Sequence, residues 1–568
     1  MADPEFELPR AQDDVLNSGA KTGIRLDSTS TENLEKGDSK WSLENTENEE
    51  CDGDSTVEYH NLTFETELPH PTSITPPTAG APPPPEPPNL IPYTSPFEWS
   101  PKRKSFIIWL SSVATAITAF TAGSYSPGVP QMCELWGISE VAALVGITTF
   151  TCGFAIAPMV LAPFSEINGR KPVFIATGIL FVICQLCCAV TQSYAGMLLA
   201  RFFVGVGGST FSTMVGGVVS DIYHTADRNT PMALFSGAAL LGTGLGPLVC
   251  GFIAQYTTWR WIFYLQTITC GTLMAIISVC FKETRGSVLL SRKAKKLNKW
   301  YEEREQAGYY GFDMPVEGQS SKKVSQRIRW KVKSDEERAS IGKMISISLY
   351  RPFHLLLTEP VVFWFSLWVS FSWAVLYLTL AAVPLVFQTN HGFSLSQANA
   401  VFGATVVGAA ISTVMSIYQE KFAKRRGKIS STPEGRLYFA CVQSALMPIG
   451  LFIFGWTSFS SIHWIAPAIG IAIATMGIFS IYLAVFNYLA DTYHRYASSA
   501  LAAQSFCRNM LGGAFPLVTK VMYQRLSYPG ASSMLGGIGI LLTVVPWVLV
   551  FYGPKIRARS KFASEIMK

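Results

Sequence analysis

Two arginines in this chain stand where arginine is costly. Arg508 lies about eleven residues inside one long apolar run, and Arg201 a few residues inside another, Leu198-Leu-Ala-Arg-Phe-Phe-Val-Gly-Val-Gly-Gly208. An arginine so placed normally faces protein or a water-filled space, although Arg201, about one to two turns from the outer surface, could also snorkel to the interface. Carboxylates occur only at the ends of the apolar runs: Glu134, Glu166, Asp221, Glu420 and Asp491. The stretch Ala162-Pro-Phe-Ser-Glu-Ile-Asn-Gly-Arg-Lys171 sets Glu166, Gly169, Arg170 and Lys171 in one short turn. Opposite charges at helix ends can pair in one conformation and part in another, which makes a latch. An ordinary basic loop with a turn glycine fits the same residues. The similar stretch Glu420, Arg425, Arg426, Gly427 favours the latch. No nucleophile–base pair, Cys/His ligand spacing or phosphate loop accompanies these charges, so the chemistry is ion pairing and recognition. No enzyme activity, cofactor or metal is expected.

The elements that must hold these charges are membrane helices. Apolar stretches of about 20 residues, each long enough to span a bilayer, fall near 106–127, 141–163, 172–191, 196–219, 231–255 and 260–281. A second set falls near 361–387, 398–418, 436–456, 463–489, 497–522 and 532–553. The expected fold is an all-α polytopic membrane protein of twelve transmembrane helices in two six-helix halves, 101–285 and 359–555. A repeat supports two related halves: Asp221, Tyr223 and His224 return as Asp491, Tyr493 and His494, each followed by a span with a proline, Pro247 and Pro516. Paired halves of this kind belong to transporters that rock around a central site.

The 568 residues are 49% hydrophobic and 15% charged, with the charge gathered in the first hundred residues, a central segment 286–358 and short loops. Lys102–Lys104, Arg170, Lys171, Arg228, the cluster Arg292–Lys296, Lys421–Lys428 and Lys555–Lys561 all fall on one side, which the positive-inside rule makes cytoplasmic, with both termini. The net charge of +6 then reflects this bias and attraction to anionic lipid, with no nucleic-acid partner. Most of the eleven cysteines lie within spans and read as packed thiols. Residues 1–100 are polar and then proline-rich over 76–92, and are expected to form a disordered cytoplasmic tail; 556–568 form a short C-terminal tail.

Polar stripes on apolar spans mark the expected pore, since lipid offers them no partner. Ser111, Thr115, Thr118 and Tyr125 share a face of span one; Ser366, Ser370, Trp373 and Tyr377 one of span seven; Ser480, Asn487 and Asp491 one of span ten; Gln504, Arg508 and Phe515 one of span eleven. Any single serine or threonine can instead bond its own helix. Together they describe an aromatic, weakly polar cavity with one cation, suited to bulky amphipathic molecules. Span five is dense in small residues, Gly237, Gly242, Gly244, Gly246, Pro247 and Gly251, which permit close helix contact.

These stretches resemble motifs of the major facilitator superfamily. The loop 162–171 is similar to its G-x-L-a-D-r-x-G-R-K motif, with Ala162 and Glu166 as departures; Arg201 with Gly205 and Gly208 resembles its span-four motif. Gly242, Gly246, Pro247 and Gly251 resemble its antiporter motif, with Cys250 in place of a glycine. Trp259-Arg-Trp261, Lys282-Glu-Thr-Arg285, Leu289–Ala294, Arg508-Asn509 and Phe515-Pro516 look like the fungal twelve-span drug:proton antiporter group. The resemblance implies export of hydrophobic drugs or metabolites in exchange for protons, from a plasma membrane (a vacuolar one as the alternative), by a monomer. Proton exchange would fall to a boundary acid such as Asp221, with Arg201 or Arg508 nearby. Polyamine export, uptake of an organic anion or vitamin, and a transport-dead sensor remain the alternatives.

Overall fold

The computed structural model describes residues 56–72, 82–316, 319–336, 341–425, 433–493, 496–560 and 562. Among these, eleven helical segments are long and apolar enough to cross a membrane. The last, Ala497–Arg559, breaks at Ser527 (φ 61°, ψ 167°), which divides it into spans eleven and twelve. The expected twelve crossings in two sets of six are therefore present. Span one is Pro101–Gly123, span two Glu140–Asn168, span three Arg170–Val190 and span four Tyr194–Thr213, continued by Val215–Ile222. Span five is Asn229–Tyr256 and span six Arg260–Cys280. Span seven is Pro360–His391, span eight Leu395–Ala423, span nine Tyr438–Thr457 and span ten Ile465–Tyr493.

Local chemistry sets the helix ends. The Ser139 and Ser193 hydroxyls accept from the backbone N–H of Ala142 and Gly196, and Ser394 with Gln397 makes a reciprocal capping box. Pro101 and Pro360 open their helices at the position where no N–H is needed. The two halves meet along spans two and eleven and along spans five and eight. Below, the face carrying the basic loops and the chain termini is called the basic face.

The tail departs from expectation. Residues 1–55 and 73–81 lie outside those described, but the rest of it is folded against the central segment. Strand β1 (Glu58–Asn61) pairs in parallel with β4 (Ile328–Lys331), while β2 (Phe312–Val316) and β3 (Gln319–Gln326) form a hairpin. Together with the loop helix Gly286–Gln306 they enclose a small core of Leu62, Leu297, Tyr301, Phe312, Ile328 and Trp330. Burial pushes the Glu305 carboxyl up, but hydrogen bonds from Arg329 and Arg327 outweigh it and hold the group below its usual range. A tail rich in charge and proline looks unfoldable alone; its few apolar residues suffice because the loop supplies the other side of the core.

Candidate functional site

The deepest cation is ringed by aromatic faces. Arg508 is 1% exposed, and its guanidinium lies 4.6 Å from the Trp373 ring centroid and 5.0 Å from that of Tyr482. Among the described residues it makes one hydrogen bond, a long one from NH2 to the Ser505 Oγ at 3.5 Å, and Nε and NH1 find no acceptor. Among the described residues, other buried polar atoms on spans seven, ten and eleven are also without a hydrogen-bond partner: both side-chain amide atoms of Gln504, the hydroxyls of Ser366, Ser370 and Tyr482, and the Trp373 indole N–H. Buried polar groups are nearly always paired, and each orphan costs on the order of 1–3 kcal/mol. Spans seven, ten and eleven thus carry a concentration of unmet donors and acceptors among aromatic rings. Spans seven and eleven hold the expected stripe Ser366, Ser370, Trp373, Tyr377, Gln504 and Arg508. Phe515 is partly buried against the same core. Tyr482, with Phe235 tilted against it and Phe486 edge-on, was not singled out by spacing.

Arg201 is fully buried in the first half, between the rings of Tyr125 and Phe150 at 4.8 and 4.6 Å. It donates to the Gly146 carbonyl at 3.2 Å and to that of Thr121 at 3.4 Å. Tyr125, expected in the cavity, instead donates its hydroxyl to the Ala143 carbonyl and covers Gly146. Next to this pair runs an amide network that patterning did not reveal: Gln185 donates to Gln266 at 2.7 Å, and Gln266 to Ser124 at 2.7 Å.

On the basic face Asp221 is the hub. It accepts from Arg170 Nε at 3.2 Å and from Arg285 NH1 at 3.1 Å. Glu166 stands 3.9 Å from Arg170, so the main partner in the latch is Asp221 rather than the expected Glu166. Nor does Asp221 approach Arg201 or Arg508, as the coupling scheme expected; Arg170 and Arg285 are its cations. Glu283 completes the cluster by accepting from the backbone N–H of Arg170 (2.9 Å) and Lys171 (3.2 Å) at the start of span three. Arg285 and Glu283 lie in the segment Lys282–Arg285, to which no role was given.

Gly169 has φ 101°, ψ 157°, and a Cβ there would strike the Glu283 carboxylate. Gly169→Ala therefore combines backbone strain with loss of this cap. We expect the variant to reach the membrane but to lose most transport, with protease cutting in the 166–171 loop speeded about tenfold, in line with a loss of about 1–2 kcal/mol.

Glu420 closes the same face between the halves. Its Oε2 accepts from Asn229 Nδ2 and Thr230 Oγ1, both at 3.1 Å, and Asn487 donates to Asn229 Oδ1 at 2.8 Å. Asn487, expected in the cavity, thus joins the Glu420 contact through Asn229. Asn229, Glu420 and Asn487 line a small pocket of about 60 Å³ that also reaches Gln419, Gln443 and Ser480. Asp491 is half-buried at the end of span ten, and its neighbour Tyr493 donates to Glu359 at 3.1 Å. Arg425 is exposed; Arg426, Gly427, Lys428, His494 and Lys561 lie outside the described residues. At the opposite ends of the spans Ser126 donates to the Leu380 carbonyl at 2.7 Å and Lys520 pairs with Glu140, while Thr148 donates to the Gly513 carbonyl at 2.7 Å deeper in the bundle, so the halves touch at both ends. Among the described residues, the buried carboxylates are Asp221, Glu283, Glu359, Glu420 and Glu434, all near span ends.

Span five uses two glycine faces. Cβ atoms at Gly242 and Gly246 would strike the Ala116 and Phe120 carbonyls of span one, and Pro247 packs against Gly123. Gly237, Gly244 and Gly251 point instead at Thr413, Thr405 and Asn399 of span eight, in the other half. Cys250, where the motif has glycine, sits in a small cluster with Ala254 and Ile262.

Comparison with known proteins agrees with this architecture. Residues 111–516 match the family model described as Major Facilitator Superfamily. The chain is 38% identical over 417 residues to the efflux pump atB of Aspergillus terreus, covering 72% of this chain and 83% of that one. It is 32% identical over 468 residues to the efflux pump FUBT of Fusarium oxysporum (82% and 75% covered). With the multidrug transporter FLR2 of Candida glabrata it shares 31% over 481 residues (83% and 77%). Among solved structures, the proton:xylose symporter XylE superposes with a TM-score of 0.56 at 14% identity, covering 80% of this chain and 97% of that one, a likeness of fold.

Proposed function

The chain belongs to the major facilitator superfamily as a secondary transporter of the efflux kind, and from that premise we propose that it expels amphipathic small molecules bearing acceptor groups, in exchange for protons. The observation that carries the cargo class is Arg508, held between Trp373 and Tyr482 with two donors unsatisfied by protein. Rings supply dispersion and stacking to an apolar body, and the guanidinium takes a carbonyl, carboxylate or similar group. A polyamine would need carboxylates at this depth, and the buried ones lie near span ends. The names of the fungal relatives, efflux pumps and a multidrug transporter, point the same way.

The mechanism is alternating access. The halves rock about the Arg508 cluster, with the Asp221 and Glu420 contacts closing the basic face in turn with the contacts at Ser126 and Glu140 on the other. Glu420 is the acid best placed for coupling, since its carboxylate accepts hydrogen bonds across the halves from Asn229 and Thr230. A proton there removes charge from the acceptor and weakens the closed gate. The protein acts as a monomer in the plasma membrane, with the basic face and both termini in the cytoplasm, as the charge bias supports.

The test is energised efflux of a fluorescent hydrophobic dye from cells expressing the chain, with and without a protonophore. Protonophore should slow efflux at least about tenfold, and Glu420→Gln should leave slow efflux that no longer responds to it. Efflux indifferent to protonophore in the parent chain would refute proton antiport.

A further inference from the structure

The central loop bears an aromatic surface already occupied by the chain's own proline run. Trp300 donates its indole N–H to the Pro85 carbonyl at 2.9 Å, and the Tyr309 hydroxyl donates to the Pro82 carbonyl at 2.8 Å. Carbonyls three residues apart lie on one edge of a polyproline II helix, which repeats every three residues. Both donors therefore read a single edge of the segment Pro82–Pro88. Arg304 backs the site, with its guanidinium 5.5 Å from the Trp300 ring and 5.7 Å from that of Tyr309. Aromatic faces flanking N–H and O–H donors are the usual means of holding a proline-rich ligand, whose backbone is free of internal hydrogen bonds.

The docked segment is mechanically joined to the Asp221 hub from two directions. Beyond the prolines, Phe97 stacks on His224 at 4.5 Å, three residues past Asp221, and Lys104 Nζ donates to the Phe97 carbonyl at 2.6 Å. From the loop side, the helix carrying Trp300 begins directly after Arg285, which binds Asp221, and Glu283, which caps span three. We propose that Trp300 and Tyr309 form a binding site for the chain's own polyproline segment, and that its occupancy clamps the latch formed by Asp221, Arg170 and Arg285. Release of the segment frees Phe97 from His224 and loosens the latch. The clamp rests on the latch reading of that cluster and is independent of the cargo.

The experiment uses the purified full-length protein in lipid nanodiscs. The double variant Trp300→Phe, Tyr309→Phe removes both donors and keeps rings to pack on Tyr301 and Phe312. A second double variant, Pro82→Gly with Pro85→Gly, loosens the ligand and leaves the site intact. Each should speed chymotrypsin cleavage after Tyr93 by about tenfold, the order expected for losing a pair of hydrogen bonds or the preset helix. Each should also speed hydrogen exchange at the Arg170 and Lys171 amides, which donate to Glu283. Cleavage at the parent rate in both variants would overturn the docking site. Faster cleavage with unchanged exchange at Arg170 and Lys171 would overturn the clamp.

Discussion

Arg508→Ala is expected to abolish dye efflux, by at least about a hundredfold, while leaving the melting temperature of the purified protein unchanged or raised. Two sides of the same burial give these opposite signs. Hydrogen bonds from the charged Nε and NH1 contribute about 1.5–3 kcal/mol each once cargo supplies the acceptors. At about 1.4 kcal/mol per factor of ten, that loss exceeds a hundredfold. Without cargo the same guanidinium has, among the described residues, a single long bond to Ser505 and no paired carboxylate. The roughly 2 kcal/mol returned by the rings of Trp373 and Tyr482 falls short of what a buried charge costs, so the residue burdens the fold. Removing it relieves that burden. Arg508→Lys keeps the charge but not the planar fork, and should restore only part of the flux. A fall of the melting temperature by several degrees in Arg508→Ala would mark the residue as structural, and unchanged efflux would remove it from the site.

The spans were legible because a bilayer demands about 20 apolar residues in a row and the basic loops punctuate them. Arg508 and the stripe on span seven were legible for a related reason: a polar residue on an apolar span has few places to go. What stayed hidden were partners chosen by tertiary contact. Arg170 has Glu166 four residues before it on the chain, yet its closest carboxylate is Asp221, brought in by the end of span four. Tyr125 fell on a polar stripe by periodicity, but Arg201 and the Ala143 carbonyl claim it. Tyr482 looked like one more apolar residue on span ten until Arg508 was seen beside its ring. The tail was the largest miss: composition reports whether a segment can fold alone, and β1 folds only because β4 waits for it 270 residues on.

Gly246→Leu should be lost to misfolding, whereas Gly244→Ala should fold and fail to transport. The two positions lie on one helix, so the contrast comes from what each faces. A Cβ at Gly246 would lie 2.5 Å from the Phe120 carbonyl and 2.8 Å from the Ser124 nitrogen, both backbone of span one. Backbone cannot rotate aside, and Gly242 meets Ala116 in the same way, so spans one and five are locked within the first half. Leucine there must push the helices apart, at about 3 kcal/mol, and little protein should survive extraction from the membrane. Gly244 faces the side chain of Thr405 at 3.0 Å, across the seam between the halves, and with Gly237 and Gly251 forms a row spaced by seven. That spacing keeps one face of a helix along a nearly parallel partner, which leaves span eight a smooth track to move against. An added methyl meets the Thr405 Cβ and asks span eight to give by a few tenths of an ångström, less than backbone contact at Gly246 demands, so stability should fall by about 1 kcal/mol. The closed arrangement becomes tighter to leave, and efflux should drop by about tenfold at normal expression. Equal losses of folded protein in both variants would show that the seam is as rigid as the bundle, and the rocking mechanism would need a different hinge.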